Sequence, residues 1–357
     1  MGAAPMTGLQ AALFVITAFL LIAYAILDGF DLGLGVLYPW LARNDHERSA
    51  LRGAIAPVWD GNEVWLIVLG GLLFAAFPPV YAGVLSGFYL PFMLVVFALI
   101  IRAVSLGLHN GESERHGLRT AGFFLGSLVP SFFFGLFAGN LIRGVTLSPA
   151  GDRTGGLGEL FSPFAVLIGL ASLAMFANQG ACWAALKTHR GDLHARARRT
   201  RDVTGWLVLA LIAGATVAAH WEARGSMSRN FHHGLGWLAM FLLLVGLAFQ
   251  LIVSRRPDDA LGHRDRGIFV ASSAIISGLV GIWAVGNYPV LVPARNQSAL
   301  SLTASSAAAT RPALIALLVM AVIGIPLMLA YTTVVYRLFR GRSTTDGGAT
   351  DGGRSQY

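Results

Sequence analysis

Cysteine is nearly absent from this chain, charge is scarce and lysine is almost missing. The single Cys182 in 357 residues leaves no disulfide framework and no paired-thiolate metal site. Charged side chains make up 12% of the sequence, against roughly 25% in soluble domains, which excludes an ordinary water-soluble fold. Of the 26 basic residues, Lys187 is the one lysine and the rest are arginines. They fall in short gaps between apolar runs rather than on a folded basic face, so no nucleic-acid partner is expected. The first ten residues carry no Lys or Arg, unlike a cleaved signal peptide, so the apolar run that follows reads as a permanent span.

What the chain has in quantity is apolar sequence, with 55% hydrophobic residues and a mean hydropathy of +0.65. A helix needs about 20 mostly apolar residues to cross a bilayer with its backbone satisfied internally. Nine stretches meet this, at 9–38, 54–77, 81–108, 118–141, 162–187, 203–221, 231–254, 267–289 and 312–338. The fold class is therefore an all-α integral membrane protein with nine transmembrane helices. Residues 341–357, rich in Gly, Ser, Thr and Asp, read as a disordered tail.

Counting Lys and Arg on alternate sides of these spans gives 20 against 6. The positive-inside rule then places the C-terminus in the cytoplasm and the N-terminus outside. The arginines between His189 and Arg201 serve as a topology signal in contact with anionic lipid. An internal echo, Gly135-Leu-Phe-Ala-Gly-Asn140 against Gly281-Ile-Trp-Ala-Val-Gly-Asn287, lies four spans apart. It suggests two parallel four-helix bundles, about 9–141 and 162–289, plus a peripheral ninth helix at 312–338.

Ionisable residues inside spans are costly and usually face protein or water. Asp28 and Asp31 in span one, Asp60 and Glu63 in span two and Arg102 in span three all fall in the half assigned to the cytoplasm. Each acidic pair is spaced three apart and so shares a helix face. A paired network or proton relay fits, and so do interfacial carboxylates that cap backbone or balance Arg102. Asp60 lies in Pro57-Val-Trp-Asp-Gly-Asn-Glu-Val-Trp65, a polar patch poorly suited to lipid, with Trp59 and Asn62 as its structural members. Asn178 and Gln179 form a second polar patch, read as helix–helix hydrogen bonding. The histidines offer no axial pair: His46, His109, His116, His189, His194 and His263 fall at the cytoplasmic side, and His220, His232 and His233 near the outer surface. No metal site and no haem in this chain are expected.

These residues fit proton handling in a stand-alone transporter or in a respiratory complex, or a scaffold whose polar residues lock helices together. The motifs are more specific. Asp28-Gly-Phe-Asp-Leu-Gly-Leu-Gly35, Arg43-Asn-Asp-His-Glu-Arg48, Ile55-Ala-Pro-Val-Trp-Asp-Gly-Asn-Glu-Val-Trp-Leu66 and Leu73-Phe-Ala-Ala-Phe-Pro-Pro-Val-Tyr81 resemble subunit II of the cytochrome bd-type quinol oxidases. The likeness continues through Ser86–Tyr89, Gly126–Pro130, Gly139–Gly144, Gln179–Ala181, Tyr288–Pro293 and Ala299–Leu302.

The resemblance implies a haem-free subunit of a bacterial cytoplasmic-membrane complex. Its partner, subunit I, carries haem b, haem d and the quinol site. The complex oxidises quinol and reduces oxygen to water with cytoplasmic protons. Within that family pattern Asp60 matches a proton-path aspartate and Trp65 a residue near oxygen access. Asp28 and Asp31 match the acidic pair of the first span, and Arg102 the basic residue ending the third. The family acid about five residues after that arginine is here Gly107, which carries no proton; His109 is the neighbouring substitute. A groove holding a structural quinone or a lipid is compatible with the apolar surface.

Overall fold

The computed structural model describes residues 7–107, 116–222, 234–254 and 263–341. The tail expected at 341–357 lies, except for Gly341, outside the described residues, as do His109, His232 and His233.

The chain enters α1 (Gly8–Leu41) through a reciprocal cap: the Thr7 hydroxyl accepts from the Gln10 N–H and the Gln10 side chain accepts from the Thr7 N–H. At 34 residues and 1.5 Å per residue, α1 is longer than the roughly 30 Å hydrocarbon core. The Arg43–Arg52 segment, read as a gap between spans, is helical as α2 (Asp45–Ile55). Asn44 caps it by accepting from the Glu47 N–H at 2.9 Å. With Asp45, Glu47, Arg48 and Arg52 on it and Ala50, Leu51, Ala54 and Ile55 buried, α2 is amphipathic. Burial raises the Glu47 carboxyl pKa, but hydrogen bonds from Arg196 and from the Arg43 N–H outweigh it and hold the group below the usual carboxylate range.

A 45° bend then leads into the second span, α3 (Trp59–Ala76). The third stretch, 81–108, is not one helix. It divides at Phe88 into α4 (Pro78–Gly87) and α5 (Tyr89–Gly107). Pro78 and Pro79 start α4 in the first turn, where a missing N–H is harmless, and Pro91 cannot continue the α4 hydrogen-bond ladder. Only α5 has the length to span.

The chain continues through α6 (His116–Arg143), the single turn α7 (Leu157–Leu160), α8 (Pro163–Lys187), α9 (Asp192–Glu222), α10 (Gly234–Ser254), α11 (His263–Asn287) and α12 (Arg311–Leu338). Among the described residues eight helices are long and apolar enough to cross a membrane, and the bent α2–α3 pair makes nine. The protein is an all-α, multi-pass membrane protein.

Successive spans pack side by side: α1 on α3 and α6, α5 on α6, α8 on α9, and α10 on α11, which returns to α8. The centre is where α1 crosses α8. A Cβ on Gly33 would overlap the Phe176 carbonyl oxygen, and one on Gly180 would overlap the Gly33 carbonyl carbon. Only glycine allows backbones this close. At one end of the bundle, the segments after α6 and α11 fold together. Val145 bridges Ala294, and β1 (Val290–Val292) pairs antiparallel with β2 (Leu302–Thr303). Arg153, tucked against Gly87 and donating to its carbonyl at 3.1 Å, ties the α4–α5 break to this end.

α12 is the outlier. Leu314 is its one fully buried residue, and it leans chiefly on α1 and α3. Its C-terminus is held by Lys187, whose ammonium donates to the carbonyls of Phe339 and Gly341 and sits 5.0 Å from the Trp183 ring centroid. A cation at a helix C-terminus satisfies its orphan carbonyls and complements its dipole.

Candidate functional site: a buried carboxylate and guanidinium network

α1 carries Asp28 and Asp31 in mid-helix, with both side chains fully buried. Neither caps a helix end, which leaves the balancing of Arg102 as the structural role open to this pair. α5 supplies Arg102, also buried, whose Nη2 lies 2.7 Å from Asp28 Oδ1 and whose Nη1 lies 3.3 Å from Asp28 Oδ2. This two-point contact is the geometry in which guanidinium and carboxylate interact most strongly. The same Nη1 reaches Glu63 Oε1 of α3 at 3.0 Å. One arginine thus joins three helices. Room for it on α5 comes from Gly126 of α6, where a Cβ would meet Arg102 at 2.8 Å.

Asp31 is partnered differently. Asn62 Nδ2 donates to Asp31 Oδ2 at 2.7 Å and to the Leu27 carbonyl at 3.2 Å. The Asn62 carbonyl in turn accepts from the Tyr336 hydroxyl of α12 at 2.9 Å. Asp31 Oδ1 is buried without a hydrogen-bond partner among the described residues. A buried carboxylate oxygen in that state calls for a proton or a water.

Asp60 does not join these groups. It sits in the first turn of α3, exposed on the isolated chain, one turn from Glu63 and on the same helix face. The expected quartet is therefore a triad of carboxylates around Arg102 and Asn62, with Asp60 beside it at the surface. The reason is rotational. The α3 face towards α1 is Asn62, Trp65, Leu69, Leu72 and Ala76, all buried, whereas Asp60 heads the opposite stripe with exposed Val64, Ile67 and Phe74. Trp65 is fully buried, edge-on to Phe19 at 6.2 Å. Trp59 is partly buried against the core that includes Phe30 and Trp183. A Cβ added at Gly107, the last residue of α5, would meet nothing within 4 Å among the described residues.

The second polar patch is a hydrogen-bonded knot. Asn178 of α8 donates to the Arg201 carbonyl at 2.9 Å and to Thr204 Oγ1 at 3.1 Å, and accepts from Gln250 Nε2 at 2.9 Å and Ser272 Oγ at 3.3 Å. Gln179 donates to Ser273 Oγ at 3.0 Å. Four helices, α8 to α11, meet there. Below it lies a charged cluster that composition and spacing missed. Buried Asp265 of α11 pairs with Arg201 Nη1 at 3.0 Å and with Arg198 through bonds of 3.1 and 2.8 Å. Read along the chain, these arginines look like loop charge; the partner that claims them lies more than sixty positions away. Buried His194 is turned with Nδ1 3.4 Å from Thr188 Oγ1 and Nε2 3.7 Å from Asp265 Oδ2. These contacts place His194 in the Asp265 cluster. Among the described residues no group of three or more His, Cys, Asp or Glu could hold a metal ion.

The family model for cytochrome bd terminal oxidase subunit II matches residues 9–339. The chain belongs to that family. It is 33% identical over 365 residues to cytochrome bd-I ubiquinol oxidase subunit 2 of Escherichia coli K12, covering 93% of this chain and 94% of the relative. It is 27% identical to cytochrome bd ubiquinol oxidase subunit 2 of Bacillus subtilis 168, covering 94% of this chain and 97% of the relative. A solved structure of bd oxidase from Geobacillus thermodenitrificans superposes with a TM-score of 0.71 over 93% of this chain and 99% of that chain; at 17% identity this likeness speaks for the fold alone. A bd-type terminal oxidase subunit is thus the function, and the stand-alone transporter is set aside.

Proposed function

We propose that this chain is the haem-free subunit of a quinol:oxygen oxidoreductase and supports a haem-bearing subunit I while giving it protons. The haems b and d of that partner supply the electron transfer and oxygen reduction. This chain's residues bind, orient and move protons. The observation that carries the reading is the Asp28–Arg102–Glu63 network with Asp31 beside it: four ionisable groups drawn from three helices into one buried site. Such groups are costly inside a membrane and are found where protons or ions pass.

In this reading Glu63 connects the network to Asp60, one helical turn away. Asp60 hands protons to the partner from the exposed stripe of α3, which faces subunit I. A carboxylate at a lipid-facing position would be expensive, and an interface relieves that cost. Trp65 stands behind this stripe as the residue nearest an oxygen-access route, and lipid or a structural quinone covers the remaining apolar faces. The bundles at about 9–141 and 162–289, with the ninth helix beside them, form one membrane domain in the bacterial cytoplasmic membrane. Its C-terminus is cytoplasmic and its N-terminus outside, an orientation that the arginine distribution supports.

The test is purification in mild detergent from cells expressing both subunits, and from cells expressing this chain alone. Haem b and haem d absorbance should accompany the pair in fixed stoichiometry and be absent from the chain alone. Stoichiometric haem in the isolated chain would overturn the assignment of the haems to the partner.

A further inference from the structure

We infer that Tyr336, on the outlying helix α12, is a positioning residue for Asp31, acting through the side-chain amide of Asn62. The inference rests on the proton-access reading above and adds to it a residue from a helix that otherwise looks peripheral. The Leu27 carbonyl can only accept a hydrogen bond, and it takes one from Asn62 Nδ2 at 3.2 Å. That fixes the amide with its NH2 towards α1. The same NH2 then donates to Asp31 Oδ2 at 2.7 Å, and the Asn62 carbonyl is left to accept from Tyr336 Oη at 2.9 Å. Remove the hydroxyl and the Asn62 carbonyl is a buried acceptor with no donor. The Leu27 carbonyl still orients the NH2 towards α1, but the amide loses the hydroxyl that holds its far end and polarises it, and its hydrogen bond to Asp31 weakens.

The Tyr336 ring is itself fixed. It stands edge-on to Phe30 at 6.3 Å and to Trp183 at 5.9 Å, while Lys187 holds the end of the helix one turn further on. Tyr336 also lines a small cavity, with Pro57, Trp183, Lys187 and Phe339, at the end of the bundle assigned to the cytoplasm. It therefore stands between that cavity and Asp31, whose second oxygen is unpartnered among the described residues. The charged groups around Asp31 are Asp28 of its own helix, Glu63 of α3 and Arg102 of α5. None of these touches Tyr336 in the hydrogen-bond chain, so the hydroxyl can be removed without breaking the ion pairs.

The experiment uses the assembled two-subunit oxidase carrying Tyr336→Phe, Tyr336→Leu or Asp31→Asn. Quinol-driven oxygen consumption per haem is measured across pH, with haem content and subunit ratio. Tyr336→Phe keeps the ring and should keep haem content, yet lower turnover per haem by about 2- to 10-fold, the range expected for one lost hydrogen bond. It should also move the pH profile in the direction that Asp31→Asn does. Tyr336→Leu should add a loss of assembly. If Tyr336→Phe has a wild-type pH profile and turnover while Asp31→Asn does not, the positioning role is wrong. If Tyr336→Phe loses activity only in proportion to haem, the hydroxyl merely docks α12, and the role is equally wrong. If Asp31→Asn itself leaves the profile unchanged, the proton-access reading fails for Asp31, and the inference goes with it.

Discussion

Arg102 is the residue on which the first four spans depend. Its guanidinium is fully buried between Asp28 and Glu63, and a buried charge stripped of its partner is more damaging than the pair is stabilising. Arg102→Leu leaves Asp28 without its cation and should cost about 3–5 kcal/mol, read as loss of assembled complex and a lower unfolding temperature. Replacing both members, as Arg102→Leu with Asp28→Leu, should recover much of that stability without recovering turnover. Equal instability in single and double variants would mean that the pair is not the source of the effect. The members of the network differ in how legible they are in the sequence. Asp28, Asp31, Glu63 and Arg102 stood out because charge inside an apolar run has no cheap explanation. Asp60 carries the same signal, since spacing gives a helix face but not which neighbour that face meets. Tyr336 gave no signal, because a tyrosine near the end of a span is already accounted for by the aromatic belt.

Among the elements, the pairing of α1 with α8 decides how close the network's walls come. The Asp28-Gly-Phe-Asp-Leu-Gly-Leu-Gly35 motif places Gly33 where the backbone of α8 passes, and Gly35 where Ser127 of α6 would clash with a side chain. Gly33→Ala should force α1 and α8 apart, because its Cβ would overlap the Phe176 carbonyl oxygen, and backbone on backbone cannot yield by a rotamer change. Little or no assembled oxidase is expected, measured as haem-bearing complex per cell membrane. Gly107→Ala, where nothing described lies within 4 Å, should be nearly silent; wild-type assembly of Gly33→Ala would contradict the close crossing. Eight long spans were legible because hydropathy and length identify a transmembrane helix directly. The division of the third stretch into α4 and α5 was not, since both halves are apolar and only the Pro78-Pro79 start and the kink at Phe88 separate them. α2 was read as a gap for the opposite reason: its helicity depends on the Asn44 cap and on docking, not on apolar length.

For the whole molecule, the Asp265 cluster and the Asn178 knot tie α8, α9, α10 and α11 together, while the acidic network lies among α1, α3 and α5. The two groups of helices differ in chemistry: between α1 and α5 a carboxylate pairs with Arg102, whereas between α8 and α10 the Asn178 amide pairs with Gln250. The amide pair locks helices without a titratable proton, and both oxygens of Asp265 are held by Arg198 and Arg201, whereas Asp31 keeps one oxygen without a hydrogen-bond partner among the described residues; proton traffic is therefore assigned to the first group. That assignment is tested most directly at its exit, Asp60. The measurement is oxygen consumption per haem across pH in the assembled oxidase carrying Asp60→Asn, which keeps the size of the side chain and removes its proton. Asp60 makes no part of the buried network, so haem content and subunit ratio should match wild type. Turnover per haem should fall, by less than the roughly 10²–10⁴-fold seen when a limiting acid or base is lost, and most at high pH, where protons are scarcest. Full activity per haem at every pH would contradict the account and take Asp60 out of the proton path.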